Sequence, residues 1–298
     1  RVEPAAGSDI VLTLDTELQK ACYHILESKL AAILLNKIEN IKEYTPPEGG
    51  SGGNIPIPIY DVYYACINNN VIDTAHFTSE YAGDTEMAVQ ETYLDKKARV
   101  FATLQDELTE SCTPYDALTE EYQVYESYVA AALYERDILM KDVVDKNDAT
   151  YIAWTKDEVI SLNEYLNYAI AQNWINVSKL DIDSRYSDSV EIYNKILEYI
   201  FDVLGRDLEF DKKIYRYMIL NDEITGRQIC ELLMEQYVVE PTEEEIAQFR
   251  AGAVTPYAFM RNRIEQLDLT PSQLALDPYS GSIVVTDVNT GDVRAIAS

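Results

Sequence analysis

The sequence predicts a mostly α-helical protein that ends in a β-hairpin, and three observations predict it. Apolar residues recur with a helical period from Leu18 to Ile41 and in further stripes along the middle of the chain. Helix-start signatures punctuate those stripes. No run after Ile55 alternates with the period of two that marks a half-buried strand, until Ser282–Thr286 and Val293–Ala297. Those two runs are β-branched and apolar. They flank Asp287–Asp292, which supplies an Asn and a Gly for a tight reversal.

The first helix is expected to begin at Asp15 or Thr16, where Thr16-x-x-Gln19 has the form of a capping box. Its stripe reads Leu18, Cys22, Ile25, Leu26, Leu30, Ile33, Leu34, Ile38, Ile41. It breaks at the Gly/Pro/Ser-rich stretch Thr45–Gly53, read as a flexible loop. Gly52-Gly53-Asn54 lacks the Gly-Lys-Ser/Thr ending of a phosphate-cradling loop. Two acidic, Tyr- and Ala-rich helices are expected over about Asp84–Leu108 and Pro114–Val144. Thr155-x-x-Glu158 should open the next, with Val159, Leu162, Tyr165, Leu166, Ala169 and Ile170 on one face. Asp188–Leu204 follows, with Gly205 placed as the residue after the C-cap. A shorter helix covers Asp211–Leu220. Thr225-x-x-Gln228 and Thr242-x-x-Glu245 open two more, and Thr255-Pro256 and Thr270-Pro271 pair an N-cap with Pro at the first helical position. Caps and spacing together predict a bundle of roughly seven to nine helices.

Net charge is −28, from 52 acidic and 24 basic residues. Nucleic-acid binding is excluded, because Lys and Arg must reach phosphates to release counterions. Anionic lipid and anionic wall polymers would be repelled as well. No apolar run approaches the ~20 residues that span a bilayer, and Arg1-Val-Glu-Pro is not a charged-then-apolar leader.

Several candidate sites fail on spacing. Cys22, Cys66, Cys112 and Cys230 form no Cys-x-x-Cys pair, and His24 and His76 supply no second ligand set. They read as core thiols, and if they were oxidised three pairings would be open. Asp181-x-Asp183 starts like a calcium loop, but Arg185, Tyr186 and Ile192 occupy positions that need an oxygen ligand, Gly and Glu. Asp145-Lys-Asn147-Asp148 fails likewise. Glu120-Glu121 and Glu243-Glu244-Glu245 read as helix N-terminal charges favoured by the macrodipole. Many of the 23 tyrosines fall on helical stripes, among them Tyr122, Tyr125, Tyr128, Tyr165, Tyr168, Tyr193, Tyr199, Tyr215 and Tyr217. They read as semi-buried packing in preference to a sugar-stacking row.

The two ends of the chain carry a family resemblance. Gly281-Ser-Ile-Val-Val-Thr-Asp-Val-Asn-Thr-Gly-Asp-Val-Arg-Ala-Ile-Ala-Ser298 resembles the first hairpin of the transpeptidase domain of penicillin-binding proteins. That hairpin reads Gly/Ala-Ser/Ala-Val-Val-Val-Met-Asp-x-x-Thr-Gly-Glu-Val-Leu-Ala-Met-Val-Ser. Asp9-Ile-Val-Leu-Thr-Leu-Asp15-Thr-Glu-Leu-Gln19 is similar to the Val-x-Leu-Thr-Ile-Asp-x-x-Leu-Gln segment leading into that domain's first helix. A short stretch separates the two in ordinary members, whereas here it runs from Gln19 to Gly281. The resemblance therefore implies a helical bundle inserted into a partial α/β edge of a transpeptidase domain. Residues 1–44 and 271–298 would form that edge, 45–54 a flexible loop and 55–270 the helical insertion.

The family's chemistry is missing from the sequence. Acyl transfer there needs Ser-x-x-Lys, Ser-x-Asn and Lys-Thr/Ser-Gly; Ser-x-x-Lys and Lys-Thr/Ser-Gly do not occur, and Ser-x-Asn occurs only as Ser161-Leu162-Asn163. Ser28-Lys29 and Ser178-Lys179 are adjacent, so their side chains diverge, and Asn289-Thr290-Gly291 has no Lys. No residue is assigned a catalytic, cofactor-binding or metal role. A strand that ends with the sequence leads us to expect a piece of a larger, class B, D,D-transpeptidase-type protein. By resemblance, that protein is anchored in the membrane by an upstream segment, faces the wall, cross-links peptidoglycan stem peptides and is acylated by β-lactams. The alternative is a helical scaffold or interaction module for cell-wall synthesis or division proteins.

Overall fold

Most helix starts follow capping side chains, whereas the end of the first helix is decided by partners distant in sequence. The computed structural model describes residues 12–46, 55–180, 188–276 and 280–298. Asp9–Val11, Pro47–Asn54 and the Asp181-x-Asp183 run therefore lie outside the described residues. The chain is mostly helical and forms two compact units. One takes residues up to Met87 and from Ile224 onward, and the other takes Ala88–Glu223.

In the first unit, α1 spans Thr16–Leu35 and is capped by Asp15, whose carboxylate accepts from the N–H groups of Glu17 and Leu18. The expected Thr16–Gln19 box gives way to this cap. The stripe does not continue through Ile38 and Ile41 as a helix. Instead Ile38–Glu39 (β1) pairs in parallel with Ile57–Pro58 (β2). Arg261 donates to the carbonyls of Leu35 and Ile38, and the Tyr257 hydroxyl donates to Ile38. These long-range donors satisfy carbonyls that another helical turn would have used, and they place a cation at the helix C-terminus. Next, α2 (Ile59–Asn68) buries Ile59, Val62, Tyr63, Ala65, Cys66 and Ile67.

Helix α3 (Asp84–Asp106) continues into a π-turn over Glu107–Ser111. In the second unit, α4 spans only Glu120–Glu135, not Pro114–Val144. Asp137 takes a left-handed backbone (φ 61°), and Leu139 then bridges Ile175. Helix α5 (Ala149–Thr155) ends where Thr155 was expected to begin one. Its hydroxyl donates back to Tyr151 O, and the true capping box is Ser161 with Glu164 at the head of α6 (Leu162–Ala171). Val159 is left exposed. Helix α7 (Ser189–Gly205) keeps Gly205 as its last residue, and α8 (Leu208–Leu220) starts at the Asp207 cap, ahead of Asp211. Phe210 packs against Tyr125 and Tyr128, and Tyr93 stacks on Tyr215 at 4.6 Å between ring centroids. The tyrosine stripes of this unit are thus largely core.

The first unit resumes with α9 (Gly226–Glu235), α10 (Glu243–Arg250), α11 (Pro256–Glu265) and the short α12 (Pro271–Leu274). Thr225 and Thr242 form the expected capping boxes, and Thr255 and Thr270 cap the two Pro-led helices. In this unit α1 packs on α11 and α12, and α2 on α9. The chain closes with the antiparallel pair β3 (Ile283–Thr286) and β4 (Val293–Ala297).

Candidate functional site

The segments that carry the family resemblance meet in the first unit. Ile283, Val285, Ala295 and Ala297 line one face of the β3–β4 hairpin and pack on Leu18, Cys22, Leu26 and Leu30 of α1. Ala295 is fully buried. Gly281 permits this approach, since a Cβ there would stand 2.8 Å from Leu26 Cδ1. Pairing runs Ile283 with Ala297 and Val284 with Ile296, with a bulge between Val285 and Thr286. The turn is built locally. Asp287 accepts from the N–H groups of Asn289 and Thr290, which hold its carboxyl below the usual range, and Gly291 takes φ 79°.

The outer edge of β4 is occupied by residues from the start of the chain. Gln19 acts as a substitute strand residue, its Nε2 donating to Ile296 O while Ile296 N–H donates to its Oε1 at 2.8 Å. Asp15 N–H donates to Arg294 O, also at 2.8 Å, and the Thr13 hydroxyl donates to Val293 O at 2.7 Å. The other edge and the other face are different. Among the described residues β3 pairs with β4 alone. Val284 and Ile296, on the face away from α1, are 58% and 52% exposed.

The side chains singled out by sequence are scattered. Ser28 donates to His24 O in its own helix, and Ser178 donates to Asn176. Cys22, Cys66 and Cys230 are buried free thiols and Cys112 is half-buried; burial pushes the Cys66 thiol up to about 12. His76 Nδ1 lies 2.8 Å from the buried Glu86 carboxylate. Burial raises that carboxyl, but hydrogen bonds from Gln236, Gly83 N–H and His76 outweigh it and hold the group below its ordinary value. Glu121 pairs with Lys96, Glu245 with Arg263, and Asp148 caps α5. Among the described residues no three His, Cys, Asp or Glu are grouped to hold a metal. No described helix is long and apolar enough to cross a membrane.

Sequence reasoning missed Glu126. It is 1% exposed in the second unit, and its Oε2 has no hydrogen-bond partner among the described residues. Burial, then the neighbouring Glu107 charge, pushes its carboxyl up to about 8, against one backbone hydrogen bond from Leu162. Glu107 opens the π-turn. Leu108 O, released there from regular helical bonding, accepts from the Tyr193 hydroxyl at 2.5 Å and from Asn163 at 2.7 Å. At neutral pH Glu126 holds a proton. It is a buried acid, and the free thiol of Cys112 stands close enough to feel the charge of Glu107 and, on ionisation, that of Glu126. The missed signal is visible: Glu126 falls in register with Tyr122, Val129 and Leu133, a carboxylate on an apolar stripe.

No family model, no curated protein and no solved structure matches the chain.

Proposed function

We propose that this chain is the non-catalytic, helix-rich part of a class B penicillin-binding protein, an extracytoplasmic, membrane-anchored enzyme that cross-links peptidoglycan stem peptides. One observation carries the reading. One face of the β3–β4 hairpin is covered by α1, while the other carries the exposed apolar side chains of Val284 and Ile296 alongside Arg294. Two-stranded sheets are marginal alone, and apolar residues on both faces mark strands of sheets covered on two sides. The exposed Val284 and Ile296 and the open β3 edge suit further strands and a second layer. The docking of Gln19 onto Ile296 adds support, since it joins the two segments that resemble the family's first helix and first hairpin.

In this reading the helical units are a pedestal or docking surface that sets the distance or partners of the catalytic domain. Stem peptides and β-lactams belong to that domain. The absence of Ser-x-x-Lys and Lys-Thr-Gly favours a second reading, a scaffold for other wall-synthesis or division proteins. The coding sequence past Ser298, joined to fluorescent-penicillin labelling, separates them. A downstream Ser-x-x-Lys, with labelling of the full gene product and none of this chain, supports the enzyme. An unlabelled full product without the motif supports the scaffold.

A further inference from the structure

The second unit contains a cavity of about 340 Å³ between the end of α4, the 141–146 loop and the start of α5, lined by Ala131, Tyr134, Glu135, Lys141, Val144, Lys146 and Tyr151. Its walls are held in place without a ligand. Met140 N–H donates to Trp174 O, Val144 N–H donates back to Met140 O, and Asp148 both caps α5 and accepts from the Tyr168 hydroxyl. Tyr134 is fixed through a hydroxyl–hydroxyl bond to Tyr165, which stacks on Trp154. Val144 is buried and the two lining tyrosines are half-buried, so the floor is largely apolar and aromatic.

The charge on this cavity is unusual for so acidic a chain. Several cations elsewhere in the unit are ion-paired: Lys96 with Glu121 and Glu223, Lys97 with Asp211, Arg99 with Glu223. Lys141 and Lys146 have no ion-pair partner among the described residues, and both face one cavity whose only acid is Glu135. Asp142 and Asp145 are their neighbours along the chain but do not line the cavity. A pre-formed apolar cavity with a few polar groups at its rim is the usual build of a small-molecule site, and this one stands at the small end of the ordinary range.

We propose that this cavity binds a small organic carboxylate with an aromatic or aliphatic body, the carboxylate held by Lys141 and Lys146 and the body packed on Tyr134, Tyr151 and Val144. This site is independent of the transpeptidase reading. Isothermal titration calorimetry of the whole chain with 3-phenylpropionate and with 2-phenylethylamine tests it, since the two probes share a ring and tail and differ in charge. The acid should bind saturably, at least tenfold tighter than the amine, and more weakly as salt is raised. The double substitution Lys141→Gln/Lys146→Gln should weaken it tenfold or more. Ala131→Phe should block both probes by filling the space. All these side chains except Tyr134, Tyr151 and Val144 are exposed, so the variants should keep the wild-type circular dichroism spectrum. Equal or tighter binding of the amine, no saturable binding of the acid, or unchanged affinity in the lysine variant would overturn the proposal.

Discussion

Replacing Glu126 by Gln should change how stability depends on pH. In the folded chain the Glu126 carboxyl is lifted from its ordinary 4.5 to about 8, by burial first and by Glu107 second. The native state therefore holds this proton more tightly than the unfolded chain, so stability falls as pH rises from about 4.5 to about 8 and this contribution is constant outside that window. Each tenfold step is about 1.4 kcal/mol, which gives a loss of about 3 kcal/mol by pH 7 and about 5 kcal/mol above pH 8. Gln is close in shape to the protonated acid and does not titrate. The difference in unfolding free energy, variant minus wild type, should thus grow by those amounts across the window. Other carboxylates titrate in both proteins and cancel. Urea unfolding followed by tryptophan fluorescence measures it selectively, because the chain's two tryptophans, Trp154 and Trp174, both belong to the second unit. Glu107→Gln should shrink the effect without removing it. Parallel pH profiles for wild type and Glu126→Gln, with the difference constant to within about 1 kcal/mol, would refute the buried-acid reasoning.

Two further outcomes concern the first unit. Leu26→Ala should cost about 2–4 kcal/mol by opening space beneath Ala295 and Ala297, and Gln19→Ala about 1–2 kcal/mol by removing both bonds to Ile296; hydrogen exchange should show faster Ile296 amide exchange in each. Gly226→Ala sets a gain in helix propensity of about 1 kcal/mol against a Cβ placed 2.6 Å from the buried Tyr63 ring. Overpacking of about 1–3 kcal/mol should win, and a lowered thermal midpoint checks it.

The mostly helical fold and its terminal hairpin were legible in the sequence because the signals that encode them are short-range. A cap is settled within one turn: the Thr225, Thr242, Thr255 and Thr270 side chains each accept from a backbone N–H three residues on. The hairpin turn is likewise built from Asp287, Asn289, Thr290 and Gly291 alone. Where two local signals compete, sequence cannot rank them. Asp15 displaces Thr16 as the first cap, because the Gln19 that would complete the box reaches Ile296 instead. Ser161 prevails over Thr155, whose hydroxyl already serves the end of α5.

The candidate site divides in the same way. Its segments were readable as a motif, but the burial of one hairpin face and the exposure of the other depend on α1 packing against residues some 270 positions away. The same holds for the end of α1, fixed by Tyr257 and Arg261, and for Glu126, whose position on a stripe was visible but whose missing partner was not. The sequence by itself determined where helices and the turn could start, because a side chain and the backbone beside it meet in any conformation of the segment. Tertiary structure alone decided where α1 stops, which acid is buried and which hairpin face is open, because each depends on groups that only the folded chain brings into contact.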